Sequence, residues 1–186
     1  MFAFLFRPAS HFNLANCFTF VNVSMGVIAL FFIAHGRYDF AIIAAWIGGA
    51  FDIFDGKIAR KFKLSNPFGV QIDSFADFIT FVLAPSFLIY EVIFKSTDTT
   101  VQILGAAVML YYILAGLRRL ITFNLTTHVG EVARFFTGVP TPLGAILLFV
   151  VYLTHTYTAL SSPYAYMVMI FVIGALLNSK VKIPHP

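Results

Sequence analysis

Apolar residues run through this chain in long blocks, separated by short clusters of charged residues, Gly, Pro and Asn. Each block approaches the roughly 20 residues that an α-helix needs to cross the hydrocarbon core of a bilayer. Six blocks can be read: Asn13 to Ala34, Tyr38 to Lys61, Phe68 to Phe94, Thr100 to Phe123, Gly138 to His155 and Pro163 to Ser179. Pro140 and Pro142 suit the first turn of the fifth, and Pro85 predicts a kink inside the third. Residues 1–10 are mostly apolar with one Arg, Arg7, and then Pro8, and 1–12 read as a short interfacial segment lying on the membrane. The pattern predicts an all-α polytopic membrane protein: six transmembrane helices in one domain, 13–186, after a short N-terminal interfacial helix over 1–12.

Composition narrows this further. Of the 186 residues, 60% are hydrophobic and 11% charged, whereas a soluble domain is nearer 25% charged. The net charge of +4 does not point to nucleic acid, because the cations cluster at the ends of the spans. The single cysteine, Cys17, cannot form an intramolecular disulfide. The stretch Met1–Arg7 is too short, and its charge lies on the wrong side, for a cleaved signal peptide. One side of the expected membrane collects Arg7, Lys57, Arg60, Lys61, Lys63, Arg118, Arg119, Arg134, Lys180 and Lys182, and the other only Arg37 and Lys95. Positive charge favours the cytoplasm, so both termini and the 61–67 and 124–137 loops are expected there, in the cell membrane.

The acids are distributed just as unevenly. Four of the eight, Asp52, Asp55, Asp73 and Asp77, fall within one stretch where the second span ends and the third begins. Asp52 and Asp55 are three apart and Asp73 and Asp77 four apart, so each pair shares a helix face. A tight polar loop, Lys61 to Pro67, makes the two helices an antiparallel pair whose acidic faces can oppose each other. Gly56, Ala59 and Gly69 leave a gap almost free of side chains. Carboxylates in or near a membrane cost up to about 3 kcal/mol each on insertion scales, and four together repel. All-oxygen ligation of a hard divalent cation, Mg²⁺ or Mn²⁺ with Ca²⁺ as a further possibility, offsets both. Two bridged cations with open positions handle phosphoryl oxygens, and Arg60, one turn beyond Gly56, can hold a phosphate charge.

The arrangement Asp52-x2-Asp55-Gly56-x2-Ala59-Arg60-x8-Gly69-x3-Asp73-x3-Asp77 resembles, residue for residue, the signature of the CDP-alcohol phosphatidyltransferases. The resemblance implies transfer of a phosphatidyl group from a CDP-activated lipid to an alcohol, with release of CMP. It implies two divalent metals held by Asp52, Asp55, Asp73 and Asp77, with Asp77 also taking the proton of the attacking hydroxyl. It implies contacts to the nucleotide and phosphates from Gly56, Arg60 and Gly69, with Ser65 and Asn66 as further candidates that equally fit ordinary turn chemistry. Asn16, Thr19, Asn22 and Gly26 form a stripe similar to the family's opening helix, with Ala15 where a proline is usual. It reads either as helix–helix hydrogen bonding or, for Asn16 and Thr19, as contacts to the CDP part. Homodimerisation is implied by the resemblance alone.

Three later segments bear on the alcohol. Leu117–Asn124 resembles the Arg-rich "LRLARFN" element of bacterial and archaeal membrane phosphatidylserine synthases, with Thr122 where a second arginine is usual. Phe136–Pro142 is similar to that subfamily's "F-x-G-L-P-S-P", and Ser179–Pro184 to its "S-x-I-R-x-P". The implied acceptor is L-serine, and the implied donor is CDP-diacylglycerol or its ether-lipid equivalent. Serine is zwitterionic: Arg118, Arg119 and Arg134 can meet its carboxylate, and Asn124 and Glu131 its ammonium. Those arginines also fit a role as membrane anchors. Two rival readings remain. Another acceptor of the same family, glycerol phosphate or inositol phosphate, calls for a denser basic pocket, and Glu131 beside Arg134 argues against it. A small cation transporter predicts acids near mid-membrane and an internal repeat, neither of which the sequence displays.

Overall fold

The computed structural model describes residues 3–126, 135–158, 160, 162–179 and 182–184. Six helical rods account for nearly all of it. They are α1 (Leu14–Ala34), α2 (Tyr38–Phe62), α3 (Pro67–Phe94), α4 (Thr99–Thr126), α5 (Thr141–Tyr157) and α6 (Pro163–Leu177). α1, α3 and α4 are long and apolar enough to cross a membrane, and α5 and α6 are shorter apolar helices. α2 has 25 residues and carries the charged stretch at its end. The fold is that of an all-α polytopic membrane protein. The segment before α1 forms a single 3₁₀ turn, Ala3–Phe6, rather than a longer helix.

Two short strands, β1 (Phe135–Thr137) and β2 (Lys182–Pro184), pair antiparallel, with Phe136 opposite Ile183. Gly138 follows β1 with φ +86°, and a Cβ there would stand 2.5 Å from the Leu177 carbonyl oxygen. That backbone conformation and that close approach both require glycine. Val139 N–H then donates to the Leu176 carbonyl at 3.1 Å, so the turn is bound to the end of α6.

The chain folds as two compact units. One comprises the residues up to Thr80 together with the end of α4 from Thr122, and the other comprises Phe81–Ile121 with the residues from 135 onward. The first unit holds Asp52, Asp55, Asp73 and Asp77. In it, α1 packs along α2 through small residues. Gly26 on α1 and Gly48 on α2 leave room for Thr80 of α3, whose Oγ1 donates to the Asn22 carbonyl at 3.3 Å. Ala15, Ala29, Ala41, Ala44 and Ala76 of the same unit are buried. Small residues let helix backbones approach closely where lipid offers no hydrophobic drive for association.

The second unit is packed around larger side chains: Phe94, Tyr112, Leu148, Tyr166, Ile170 and Leu177 are buried. Gly105 accepts the Phe94 ring and Gly174 the Tyr111 ring. Within α3 the α-helical turns Pro67–Asp77 and Ala84–Ile89 alternate with wider π-helical turns at Phe78–Leu83 and Tyr90–Phe94. The first wide turn ends just before Ala84-Pro85. Pro85 therefore sits in the first turn of the next α segment, where its missing N–H is not needed. The sequence predicts a kink at Pro85; the observed accommodation is this change of hydrogen-bond register.

A prediction follows from the glycine contacts. The Gly26→Val substitution places a Cβ 2.5 Å from Thr80 Oγ1 and 2.9 Å from Ile79 Cγ2. Overpacking of this kind costs about 1–3 kcal/mol. Thermal unfolding in detergent should show a lower midpoint for this variant, whereas Gly36→Ala, with nothing near its Cβ, should register only the strain of its positive φ.

Candidate active site

The link between α2 and α3 is built by its sequence. α2 ends with Lys63 in the left-handed region (φ 53°, ψ 44°). Leu64 N–H reaches back to the Ala59 carbonyl at 2.9 Å and Lys63 N–H to that of Arg60 at 3.4 Å, a Schellman closure with Leu64 buried beneath it. Two residues later Asn66 caps α3, its Oδ1 accepting from Gly69 N–H at 2.6 Å, with Pro67 in the first turn. Only three residues separate the C-cap from the first residue of α3, which turns the chain back and brings the two acidic faces together.

Asp52, Asp55 and Asp73 each offer a carboxylate oxygen, and these three oxygens lie within 4.8 Å of one another. Asp55 is buried, and the other two are half-buried. The Asp77 carboxyl reaches that of Asp52 within hydrogen-bonding distance, so the fourth acid belongs to the same group. Basic residues do not offset the charge of the three: among the described residues the ion pair is Lys95–Glu91 at 2.6 Å, on α3's far end. Lys57, Arg60 and Lys61, in the last turns of α2, are exposed. Arg60 folds back along α2 so that its Nη1 stands 3.4 Å from where a Gly56 Cβ would be. Three converging carboxylates without a cation among them are a donor set for a hard divalent metal ion, and the three could hold one.

α1 supplies the other wall. Thr19 Oγ1 donates to Asp55 Oδ2 at 2.7 Å, and Asn22 Nδ2 to Asp52 Oδ1 at 3.2 Å. Asn16 is buried, donates from Nδ2 to the His11 carbonyl at 3.0 Å, and sets its Oδ1 against Gly69, where a Cβ would stand 2.6 Å away. Gly69 is therefore a place where helix backbone and an amide meet directly.

The observation that decides the family is the coverage of its pattern: the model of the CDP-alcohol phosphatidyltransferases matches residues 12–177. The chain belongs to the CDP-alcohol phosphatidyltransferase family. It is a phosphatidyltransferase enzyme, and its four clustered aspartates all lie within the matched residues. The chain is similar to a CDP-diacylglycerol–serine O-phosphatidyltransferase of Bacillus subtilis, 31% identical over 167 residues that cover 90% of this chain and 87% of that protein. It is 29% identical to one of Helicobacter pylori over 176 residues, 91% of this chain and 71% of the relative. It is also 29% identical to an archaetidylserine synthase of Methanothermobacter thermautotrophicus over 181 residues, 96% of this chain and 72% of the relative.

The other residues singled out from the sequence fall into several places. Asn66 is occupied twice over: besides capping α3, its Nδ2 donates to the Pro8 carbonyl at 2.6 Å and the Ser10 carbonyl at 3.3 Å. This is the turn chemistry that the sequence left open. Ser65 is half-buried in the same turn. Asn124 reaches the aspartate helix directly, its Nδ2 donating to Ser74 Oγ at 2.8 Å, one residue beyond Asp73. Arg118 is exposed while Arg119 is buried at 7% relative exposure, so neighbouring arginines on α4 point to different sides. Glu131 and Arg134 lie outside the described residues.

Asn13, Asn22 and Ser74 were not singled out as site residues. Asn13 donates from Nδ2 to the Leu64 carbonyl at 3.0 Å and accepts from Asn16 N–H at 2.9 Å, capping α1 while holding the α2–α3 link. Its signal was present: Asn13 lies one three-residue step before Asn16, Thr19 and Asn22. Together with the stacking of His11 on Phe68 at 4.3 Å between centroids, these bonds strap residues 8–13 across the start of α3. Replacement of an asparagine cap by alanine costs about 0.5–2 kcal/mol. Asn13→Ala and Asn66→Ala should each lower the unfolding midpoint in detergent and speed protease cleavage near residues 8–12. An unchanged cleavage rate in both would show that the strap does not depend on these amides.

Proposed function

We propose that this phosphatidyltransferase moves the phosphatidyl group of CDP-diacylglycerol, or the ether-lipid equivalent, to L-serine and releases CMP. The serine assignment is supported by the names of the relatives that span most of the chain and by the Leu117–Asn124, Phe136–Pro142 and Ser179–Pro184 elements. The observation that carries the chemistry is the convergence of Asp52, Asp55 and Asp73 within 4.8 Å. Asp52, Asp55 and Asp73 are the metal ligands in this reading, and Asp77 completes a second metal position. Bound divalent metal, two ions of Mg²⁺ or Mn²⁺, supplies stabilisation of the charge that develops on the leaving phosphate.

The chain's own groups do the rest. Gly56 and Gly69 let phosphate approach backbone, and Arg60 neutralises phosphate charge at the exposed end of α2. Asn16 and Ser65 border the nucleotide, Thr19 acts through its bond to Asp55, and Asn66 contributes by capping α3. Asp77 accepts the proton from the serine hydroxyl as that oxygen bonds to the lipid-side phosphorus. The bond from that phosphorus to the bridging oxygen breaks, and CMP leaves with the electron pair. Arg118, Arg119 and Arg134 are the candidates for the serine carboxylate, and Asn124 and Glu131 for its ammonium. Residues 13–186 act as one catalytic domain in the cell membrane, with 1–12 on its surface, the active site and both termini cytoplasmic, and two copies in a homodimer.

The test is CMP release from purified protein with CDP-diacylglycerol and either L-serine, glycerol 3-phosphate or inositol phosphate. Release should require both divalent metal and serine, and it should fall by about 100-fold or more in Asp77→Asn, on the scale of a lost general base. Release with another alcohol alone would keep the mechanism and overturn serine. Arg119→Ala should raise KM for serine more than that for CDP-diacylglycerol; an equal change in both would remove Arg119 from acceptor recognition.

A further inference from the structure

We infer that Asn22 is a positioning residue for the metal-binding carboxylates: its side-chain amide fixes the orientation of Asp52 from α1. The inference rests on the proposed reading that Asp52 ligates metal. Asn22 is fully buried, and its Nδ2 donates to Asp52 Oδ1 at 3.2 Å. Its backbone is held from the other side, where Thr80 Oγ1 donates to the Asn22 carbonyl.

The geometry aims this amide at the aspartate cluster. Asn22 Oδ1 is buried and has no hydrogen-bond partner. It lies against Gly48 of α2, 3.0 Å from where a Cβ would stand. Only the N–H end makes a side-chain bond, and that bond goes to a member of the aspartate cluster. The opposite rotamer would turn the amide oxygen toward the carboxylate and repel it, so the contact selects one orientation.

Thr19 repeats the arrangement one turn earlier, donating to Asp55 Oδ2 at 2.7 Å. Asp52 and Asp55 of α2 are thus both gripped by donors from one stripe of α1, with Gly48 giving the amide its space. Outer groups that hydrogen-bond a ligating side chain fix its direction, and losing one weakens metal binding by about 10–100-fold. Asn22 touches no reacting atom in this arrangement; it acts through Asp52.

The experiment measures Mn²⁺ affinity of purified protein in detergent by electron paramagnetic resonance, without lipid or nucleotide, so that turnover plays no part. Asn22→Leu replaces the amide with an apolar side chain of similar size and so removes the donor, and it should raise the Mn²⁺ Kd about 10–100-fold. Its unfolding midpoint in EDTA should stay close to that of the parent protein. Gly48→Ala adds a methyl 3.0 Å from Asn22 Oδ1, displaces the amide without touching Asp52, and should weaken Mn²⁺ binding to a lesser degree. An unchanged Kd in Asn22→Leu overturns the inference, as does a fall in EDTA stability with affinity preserved in the folded protein. Should Asn22→Leu fail to fold, an unchanged Kd in Gly48→Ala overturns it. Asp52→Asn separates the two readings. If it leaves Mn²⁺ binding intact, Asp52 is not a metal ligand and both fall. If it abolishes binding while the Asn22 and Gly48 variants bind normally, only the role of Asn22 falls.

Discussion

Mutual repulsion among carboxylates is the constraint on which the first unit depends. Three of them meet within 4.8 Å on helices whose other faces are apolar. Among the described residues the nearby cations of α2 do not fold in to neutralise them: Lys57, Arg60 and Lys61 stay exposed. Folding must therefore hold the carboxylates together by means other than ion pairing, and the surrounding hydrogen bonds do this. Thr19 and Asn22 grip the α2 aspartates, and the Asn66 cap fixes where α3 begins and so where Asp73 and Asp77 fall along it. Three carboxylates arranged in this way could hold a divalent cation.

Close helix approach is the second requirement, and it explains the small residues better than lipid packing does. Gly26, Gly48 and Gly69 each stand where a Cβ would meet a polar atom of the site's framework: Thr80 Oγ1, Asn22 Oδ1 and Asn16 Oδ1 respectively. Glycine at these three positions lets amides and hydroxyls replace side-chain bulk between the helices. The N-terminal segment is part of the same construction. Asn13, Asn16 and Asn66 exchange bonds among residues 8–13, the α2–α3 link and the head of α3, so an apparently peripheral stretch braces the end of the helix pair.

The second unit has a different logic. Its interior is filled by Phe94, Tyr112, Tyr166, Leu148 and Leu177, and its glycines, such as Gly105 against Phe94 and Gly174 against Tyr111, meet rings rather than amides and hydroxyls of the site. Two of the late sequence elements meet there as the β1–β2 ribbon, with Gly138 closing onto the end of α6. In these elements Phe136 pairs with Ile183, and Gly138 takes a positive φ. Asn124, from the third element, belongs to the first unit and bonds to Ser74 beside Asp73.

The sequence by itself determined the helices, because a bilayer-length apolar run admits one regular backbone structure. It also determined the aspartate set, because fixed spacings of three and four put both pairs on helix faces whatever the surroundings. Even the α2–α3 link was legible, from Asn66-Pro67 and the tight polar loop. The tertiary structure alone decided what each polar side chain of α1 bonds to. Thr19 and Asn22 look alike as a stripe of small polar residues, and only the rotation of α1 against α2 makes them donors to Asp55 and Asp52. It also decided that Asn66 is held by Pro8 and Ser10, and that Pro85 is absorbed by a widened turn rather than left as a bare break. These outcomes rest on contacts between residues far apart in sequence, whose pairing is set by packing and carries no periodicity that a linear reading can detect.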